Sequence, residues 1–142
     1  MIWKKIYLNT QKTKHCNVRL YRTKKEMRDG IRKYRSYEKQ IDQIAGCCCP
    51  YTRYNIGTRT ARPDVAKVFL SIQDCGAGIV THELLHAVLW AWKHSFRKKQ
   101  HPILIKDMND EEEILHNHTF AVKQFYNWFF ENKKRLLHSV KH

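Results

Sequence analysis

The sequence lacks any long apolar run. No stretch approaches the roughly 18 uncharged apolar residues that a membrane-spanning helix needs. The first 15 residues, MIWKKIYLNTQKTKH, contain no apolar segment of about 7–15 residues that would indicate a signal peptide. These absences argue against membrane-spanning and secreted proteins, so we expect a cytoplasmic protein with no membrane partner.

The sequence also lacks the cysteine spacing of a disulfide framework or a zinc ribbon. It has five cysteines, an odd number, and no C-x-x-C pair, which fits a reducing compartment. Cys47, Cys48 and Cys49 are adjacent, and neighbouring side chains of an extended chain point in opposite directions, so they chelate one ion poorly. We interpret them as a structural cluster, with a redox-sensitive or adventitious metal site as the alternative.

Acidic residues are scarce. Lys and Arg number 27 against 13 Asp and Glu, giving a net charge of +14. The imbalance is concentrated in residues 1–63, which contain 16 basic and 4 acidic side chains. A cationic segment attracts polyanions, so nucleic acid or an acidic protein is an expected partner of residues 1–63. The sequence does not indicate an oligomeric state.

The pattern of apolar residues predicts an α+β fold. A length of 142 residues suits a single domain, 1–142, comprising a basic sheet-and-helix portion (1–63) and a second portion (64–142). We predict strands over 2–8 and 16–23, which can form a hairpin across the polar segment between them. Further strands are predicted over 64–72 and near CCCP, where Pro50 interrupts the strand. Helices are predicted over 24–36, where Thr23 and Glu26 form a capping box, over 77–95, and from 109 or 110 to about 137. The expected architecture is a small, twisted, mostly antiparallel sheet packed against the second helix and the long C-terminal helix.

One motif in the second helix indicates metal chemistry. His82-Glu83-Leu84-Leu85-His86 is an H-E-x-x-H pattern, and residues four apart lie on the same face of a helix. Both imidazoles can therefore reach one Zn²⁺ ion, while Glu83 beside them can act as a general base. The surrounding residues are apolar, and a buried helix rarely keeps such polar groups without a partner.

A catalytic zinc site needs a third protein ligand. NDEEEILHNH (109–118) offers candidates, and the apolar residues of its helix centre on a direction shared by Glu111 and His118. We therefore predict Glu111 as the third ligand, with Glu112 and His118 as fallbacks. Alternatively, Glu111 places negative charge at the start of the helix, where it suits the helix dipole. His118 can alternatively hydrogen-bond to Glu111 or to a ligand histidine. The same phase directs Glu113 and His116 to solvent.

Residues 65–130 resemble the minimal zincin metallopeptidases of the gluzincin type, as encoded by phages and other mobile elements. The resemblance rests on the strand VAKVFLSI, the helix segment THELLHAVLWA and the helix start NDEEEIL. It implies zinc ligands at His82, His86 and Glu111, with Glu83 as general base. Larger gluzincins often carry an aspartate one turn after the ligand glutamate, where this chain has Leu115 or His116. Similarity to SprT-like metallopeptidases is weaker, because those typically use a third histidine.

The sequence thus predicts a zinc-dependent metallopeptidase that acts on a peptide or protein substrate. We expect strand 64–72 to be the sheet edge that pairs with an extended substrate. Candidates for stabilising the oxyanion are Tyr51, Tyr54, His101 and His118. The alternative function is a nucleic-acid- or protein-binding module with a structural or non-catalytic zinc site.

Overall fold

The structure is a computed structural model that describes residues 1–34, 41–51, 57, 62–94 and 108–138, without the side chains of Asp42, His94 and His138. Its strands are β1 (Ile2–Tyr7), β2 (His15–Tyr21), β3 (Cys47–Pro50) and β4 (Asp64–Ser71). Its α-helices are α1 (Lys24–Arg32), α2 (Ala77–His94) and α3 (Met108–His138). Two single-turn 3₁₀ helices, Ile41–Gln43 and Ile72–Asp74, precede β3 and α2 respectively.

The four strands form one mixed sheet in the order β1-β2-β4-β3. β1 and β2 form the predicted antiparallel hairpin, with Ile6 opposite Cys16, and β3 is antiparallel to β4. β2 and β4 are parallel, with Val18 opposite Val68, and both α1 and β3 come between them in the chain. The α+β class is therefore confirmed, with two antiparallel pairings and one parallel pairing.

Alternation of side chains along the strands gives the sheet two different faces. The first face carries the larger core, in which Val18, Val68 and Leu70 pack with α2 and α3. The second face carries a smaller cluster, in which Met27 and Ile31 of α1 pack on Phe69. We call these the helix face and the α1 face. α2 carries the H-E-x-x-H motif, so the packing of α2 against the helix face fixes the position of the motif.

The predicted start of α1 is confirmed, and its predicted end is wrong. The Thr23 hydroxyl accepts a hydrogen bond from the Glu26 amide at 3.1 Å, as an N-cap should. The Glu26 carboxylate accepts a hydrogen bond from Arg22, at 2.8 Å, which extends the capping interaction to the preceding strand end. The helix ends at Arg32 rather than residue 36, and Tyr34 follows it on an exposed turn.

The prediction that strand 64–72 forms the sheet edge is wrong. β4 lies between β2 and β3, and its buried run from Val68 to Ser71 reflects cover on both faces. In the described part of the chain, the edge beside α2 is β3, and Pro50 is its last residue. The same apolar pattern that marked this segment as a strong strand is typical of an interior strand.

Candidate metal and catalytic site

The two motif histidines lie together on the exposed side of α2. Val80, Leu84, Ala87 and Val88 bury the opposite side of the helix against the sheet. His82 is 66% exposed and Glu83 only 13%, so burial constrains the glutamate and not this histidine. The expectation of two buried histidines is therefore wrong, because the histidines occupy the narrow strip of α2 that neither the sheet nor α3 covers.

The imidazoles of His82 and His86 point at each other. Their Nε2 atoms are 3.1 Å apart, and the ring planes are nearly perpendicular. Two nitrogens bound at about 2.0–2.1 Å to one tetrahedral Zn²⁺ are separated by roughly 3.3–3.4 Å. The observed separation therefore fits a shared metal ion with only a small adjustment of the rings. Within the described residues, however, no group of three or more His, Cys, Asp and Glu side chains could hold a metal ion.

Glu83 adjoins this histidine pair at the edge of a groove. Its Oε1 lies 4.0 Å from Nε2 of His82. The groove, of about 620 Å³, runs between β3 and α2, and Glu83 and His86 line one wall while Cys48 and Pro50 line the other. The pair and the carboxylate thus share a cleft whose second wall is the edge strand of the sheet.

Trp90 and Lys93 continue the helical wall of the groove beyond His86. The Trp90 indole Nε1–H donates to the carbonyl oxygen of Tyr51 at 3.1 Å, which joins α2 to the chain just after β3. Lys93 stacks its ammonium over the Trp90 ring, with 5.5 Å from Nζ to the ring centroid. These contacts fix the separation of the two walls at the end of the groove farther from Glu83.

Gly46 permits the close approach of the chain before β3 to the start of α2. A Cβ at this position would lie 2.8 Å from Cγ2 of Ile79 and 3.3 Å from Cγ of Glu83. A side chain at position 46 must therefore displace a β-branched residue of α2 or the Glu83 side chain.

We predict that Gly46→Ala destabilises the fold by about 1–3 kcal/mol, because overpacking a filled site forces its neighbours to move. The free energy of unfolding from urea denaturation measures this. Gly78→Ala is the matched control, since nothing lies within 4 Å of a Cβ there. Its position inside α2 leads us to expect a gain of up to about 1 kcal/mol. Equal effects of the two substitutions would contradict the close packing at Gly46.

The structure corrects the predicted orientation of Glu111. The side chains that α3 buries include Ile114, Asn117 and Ala121, whereas Glu111 is exposed and Asp110 is the half-buried carboxylate of the first turn. The predicted centre of the buried side of α3 differs from the observed one by about 40° around the helix axis. Leu115 was one of the apolar residues that set the predicted direction, but it is 48% exposed. Asn117 was not in that set, but it is buried and accepts a hydrogen bond from the Thr10 amide. Glu112, Glu113 and His116 are exposed, as the last two were expected to be.

His118 does face α2, as its helical phase indicated. Its Nε2 lies 3.0 Å from the backbone oxygen of Thr81, the residue before His82. A carbonyl oxygen only accepts hydrogen bonds, so His118 Nε2 carries a hydrogen and donates the hydrogen bond to the Thr81 carbonyl oxygen. With Nε2 engaged in this way, His118 anchors α3 beside the motif rather than offering that nitrogen to a metal. Seven residues before it, Glu111 shares the same side of α3.

The remaining sequence candidates lie apart from the histidine pair or outside the described residues. The Tyr51 hydroxyl donates to Asp64 at 3.3 Å, at the start of β4. Tyr54 and His101 lie outside the described residues. Cys47 and Cys49 point to the α1 face with their sulfur atoms 3.7 Å apart, whereas Cys48 packs in the larger core, as the expected alternation requires.

Sequence reasoning missed the role of β3 as the second wall of the groove. The sequence around CCCP carries no pattern that shows which strands are neighbours in the sheet. In the structure, β4 pairs with β2 and therefore lies between the β1–β2 hairpin and β3.

Comparisons of this chain with protein-family models, with curated proteins and with solved structures find no match. No helix in the described ranges is long and apolar enough to cross a membrane.

Proposed function

We propose that this protein is a zinc-dependent metallopeptidase of the zincin type, in which His82, His86 and Glu111 hold the metal. The observation that carries the proposal is the groove beside α2, where the paired histidine nitrogens, 3.1 Å apart, adjoin a carboxylate and a strand edge. Two of the three ligands are supported by this geometry. Glu111 is supported by its position, one helix away on the side of α3 that His118 turns toward α2.

Zn²⁺, when bound, supplies a Lewis acid that acidifies water and polarises a carbonyl group. The chain's own contribution to hydrolysis centres on Glu83. Its carboxylate accepts a proton from the water that attacks the peptide carbonyl carbon, and passes that proton to the amine released when the C–N bond breaks. Partial burial suits this role, because Glu83 is held in one place while its oxygen remains near Nε2 of His82.

The shape of the groove favours an extended peptide as substrate. One wall is a β-strand at the sheet edge and the other is a helix, and a volume of about 620 Å³ accommodates a few residues. A peptide lying along β3 would pass directly over Glu83 and His86. Pro50 at the end of β3 has no N–H to donate, so the substrate is expected to bind chiefly toward the Gly46 end.

The test is zinc content combined with cleavage of a quenched fluorogenic peptide library. Protein purified without chelator is expected to contain one zinc ion per chain and to cleave peptides. Removal of zinc should abolish cleavage, and its return should restore it. Wild-type protein that contains no zinc, or that cleaves equally well without it, would contradict the proposal.

Alanine substitutions at the start of α3 test which acidic residue is the third zinc ligand. We expect Glu111→Ala to weaken zinc affinity by more than about 100-fold, because loss of a direct ligand exceeds the 10- to 100-fold cost of losing a supporting contact. Glu113→Ala removes the same charge from an exposed position and serves as the control. Glu112→Ala and Asp110→Ala complete the series, and a loss confined to one of them would reassign the ligand to that residue.

A further inference from the structure

The α1 face of the sheet is only partly covered. α1 packs over Tyr21 and Phe69 at one end. Toward β1, the side chains on this face alternate between aromatic and cationic along the strand: Trp3, Lys5 and Tyr7. Trp3 is 62% exposed, the largest exposure of any aromatic residue on the described part of the sheet. A tryptophan exposed beside cations presents a flat apolar ring on which a ligand with flat apolar surfaces can stack.

The cations continue across the neighbouring strands in register. Trp3 pairs with Arg19, which pairs with Phe69, and in the next row Lys5 pairs with Asn17, which pairs with Lys67. Adjacent strands lie about 4.7–4.9 Å apart, so side chains in these rows are neighbours on one continuous patch.

Tyr34 forms the rim of this patch. Its ring lies beneath Lys67, with 4.1 Å from Nζ to the centroid, and beside the Arg19 guanidinium at 5.1 Å. It is 44% exposed. Burial opposes ionisation of Tyr34, but hydrogen bonds and charge from Lys67 and Arg19 outweigh it and lower its pKa. Lys67 and Arg19 therefore favour the ionised form of the Tyr34 hydroxyl, as neighbouring cations do.

Negative charge close to the patch is already engaged. Asp64 is opposite His15 on the parallel strand, and its side chain contacts Arg62 and Tyr51. On α1, the carboxylates of Glu26 and Asp29 each bind an arginine, at 2.8 Å. Within the described residues, none of these carboxylates forms an ion pair with Lys5, Arg19 or Lys67.

We propose that this patch of the α1 face binds single-stranded nucleic acid. Its six residues are Trp3, Lys5, Tyr7, Arg19, Tyr34 and Lys67. The aromatic rings stack on unpaired bases and the cations contact phosphates. A duplex would use the cations but leave Trp3 without a base to stack on, and an acidic protein would likewise not need it. The patch lies across the sheet from α2, so binding there leaves the groove of the proposed peptidase open.

Fluorescence anisotropy with a labelled 20-nucleotide oligothymidylate tests the proposal. Trp3→Ala is expected to weaken binding about 5- to 150-fold, the range for loss of one stacked base. Trp3→Phe should restore most of the affinity. Phe130→Ala is the matched control, because Phe130 is an aromatic on α3 with 69% exposure, and it should bind like wild type.

Salt dependence identifies the phosphate contacts. Lys5→Ala should reduce the slope of log affinity against log salt concentration by about 0.7, the value for one phosphate of a single strand, whereas Trp3→Ala should leave it unchanged. Lys134→Ala on α3 removes an exposed lysine and should change neither quantity.

Three results would overturn the proposal: no binding of the oligonucleotide at low salt, equal affinity for the single strand and its duplex with no effect of Trp3→Ala, or binding of polyglutamate as tight as that of the oligonucleotide. The last would assign the patch to an acidic protein. Because none of the six residues of the patch lines the groove, cleavage of a short peptide should be unaffected by Trp3→Ala, so failure here is distinguishable from failure of the peptidase proposal.

Discussion

Glu83→Gln is expected to lower kcat for peptide cleavage by about 100- to 10,000-fold, the usual contribution of a positioned general base. The amide keeps the size of the side chain and its place in the groove but cannot accept the proton of water. KM should change little, because peptide binding depends on the walls of the groove. The measurement is steady-state cleavage of a fluorogenic peptide by zinc-loaded protein.

Two features make this result specific. Zinc content of Glu83→Gln should equal that of wild type, since Glu83 lies 4.0 Å from the nearer histidine nitrogen and is not assigned as a ligand. Glu131→Gln makes the same change of charge at an exposed position of α3 and should retain full activity. If Glu83→Gln cleaves within threefold of wild type, Glu83 is not the base.

Features that depend on residues close together in the chain were predictable from the sequence, whereas features that depend on distant residues were not. The N-cap at Thr23, the β1–β2 hairpin and the start of α2 depend on residues close together in the chain, and each was predictable from spacing and residue type. The order β1-β2-β4-β3 depends on which distant strands pair, and strand patterns alone do not specify it. The edge strand was therefore assigned wrongly, although each strand was recognised.

The same distinction applies to the candidate site. His82, Glu83 and His86 are set by four residues of helix, so the closeness of the histidine nitrogens follows directly from the motif. The direction of Glu111 depends on which side of α3 meets the sheet. Because Asn117 is buried and Leu115 is exposed, the buried side of α3 differs from the side that apolar periodicity predicts.

Zinc should raise the melting temperature of the wild-type protein by roughly 8–16 °C when free zinc is about 1,000 times its dissociation constant. That excess of a ligand that binds only the folded state stabilises it by about 4.1 kcal/mol. For a chain of this size, each kcal/mol corresponds to about 2–4 °C. His86→Ala should abolish most of the shift, because removal of one member of the pair leaves a single imidazole on α2. The measurement is differential scanning calorimetry in the presence and absence of zinc.

His116→Ala is the control for this experiment. His116 is an exposed histidine on α3 that lies 3.6 Å from Glu112 and faces away from the α2 pair, so its loss should leave the zinc shift intact. A shift that persists in His86→Ala but disappears in Cys49→Ser would place the zinc at the sulfur pair of β3, where Cys47 and Cys49 are 3.7 Å apart. That outcome would contradict a zinc site on the α2 histidines, because the metal would then bind through β3 rather than through the histidine pair. Loss of the shift in His86→Ala, together with retained zinc but lost cleavage in Glu83→Gln, would instead assign metal binding and proton transfer to adjacent turns of one helix.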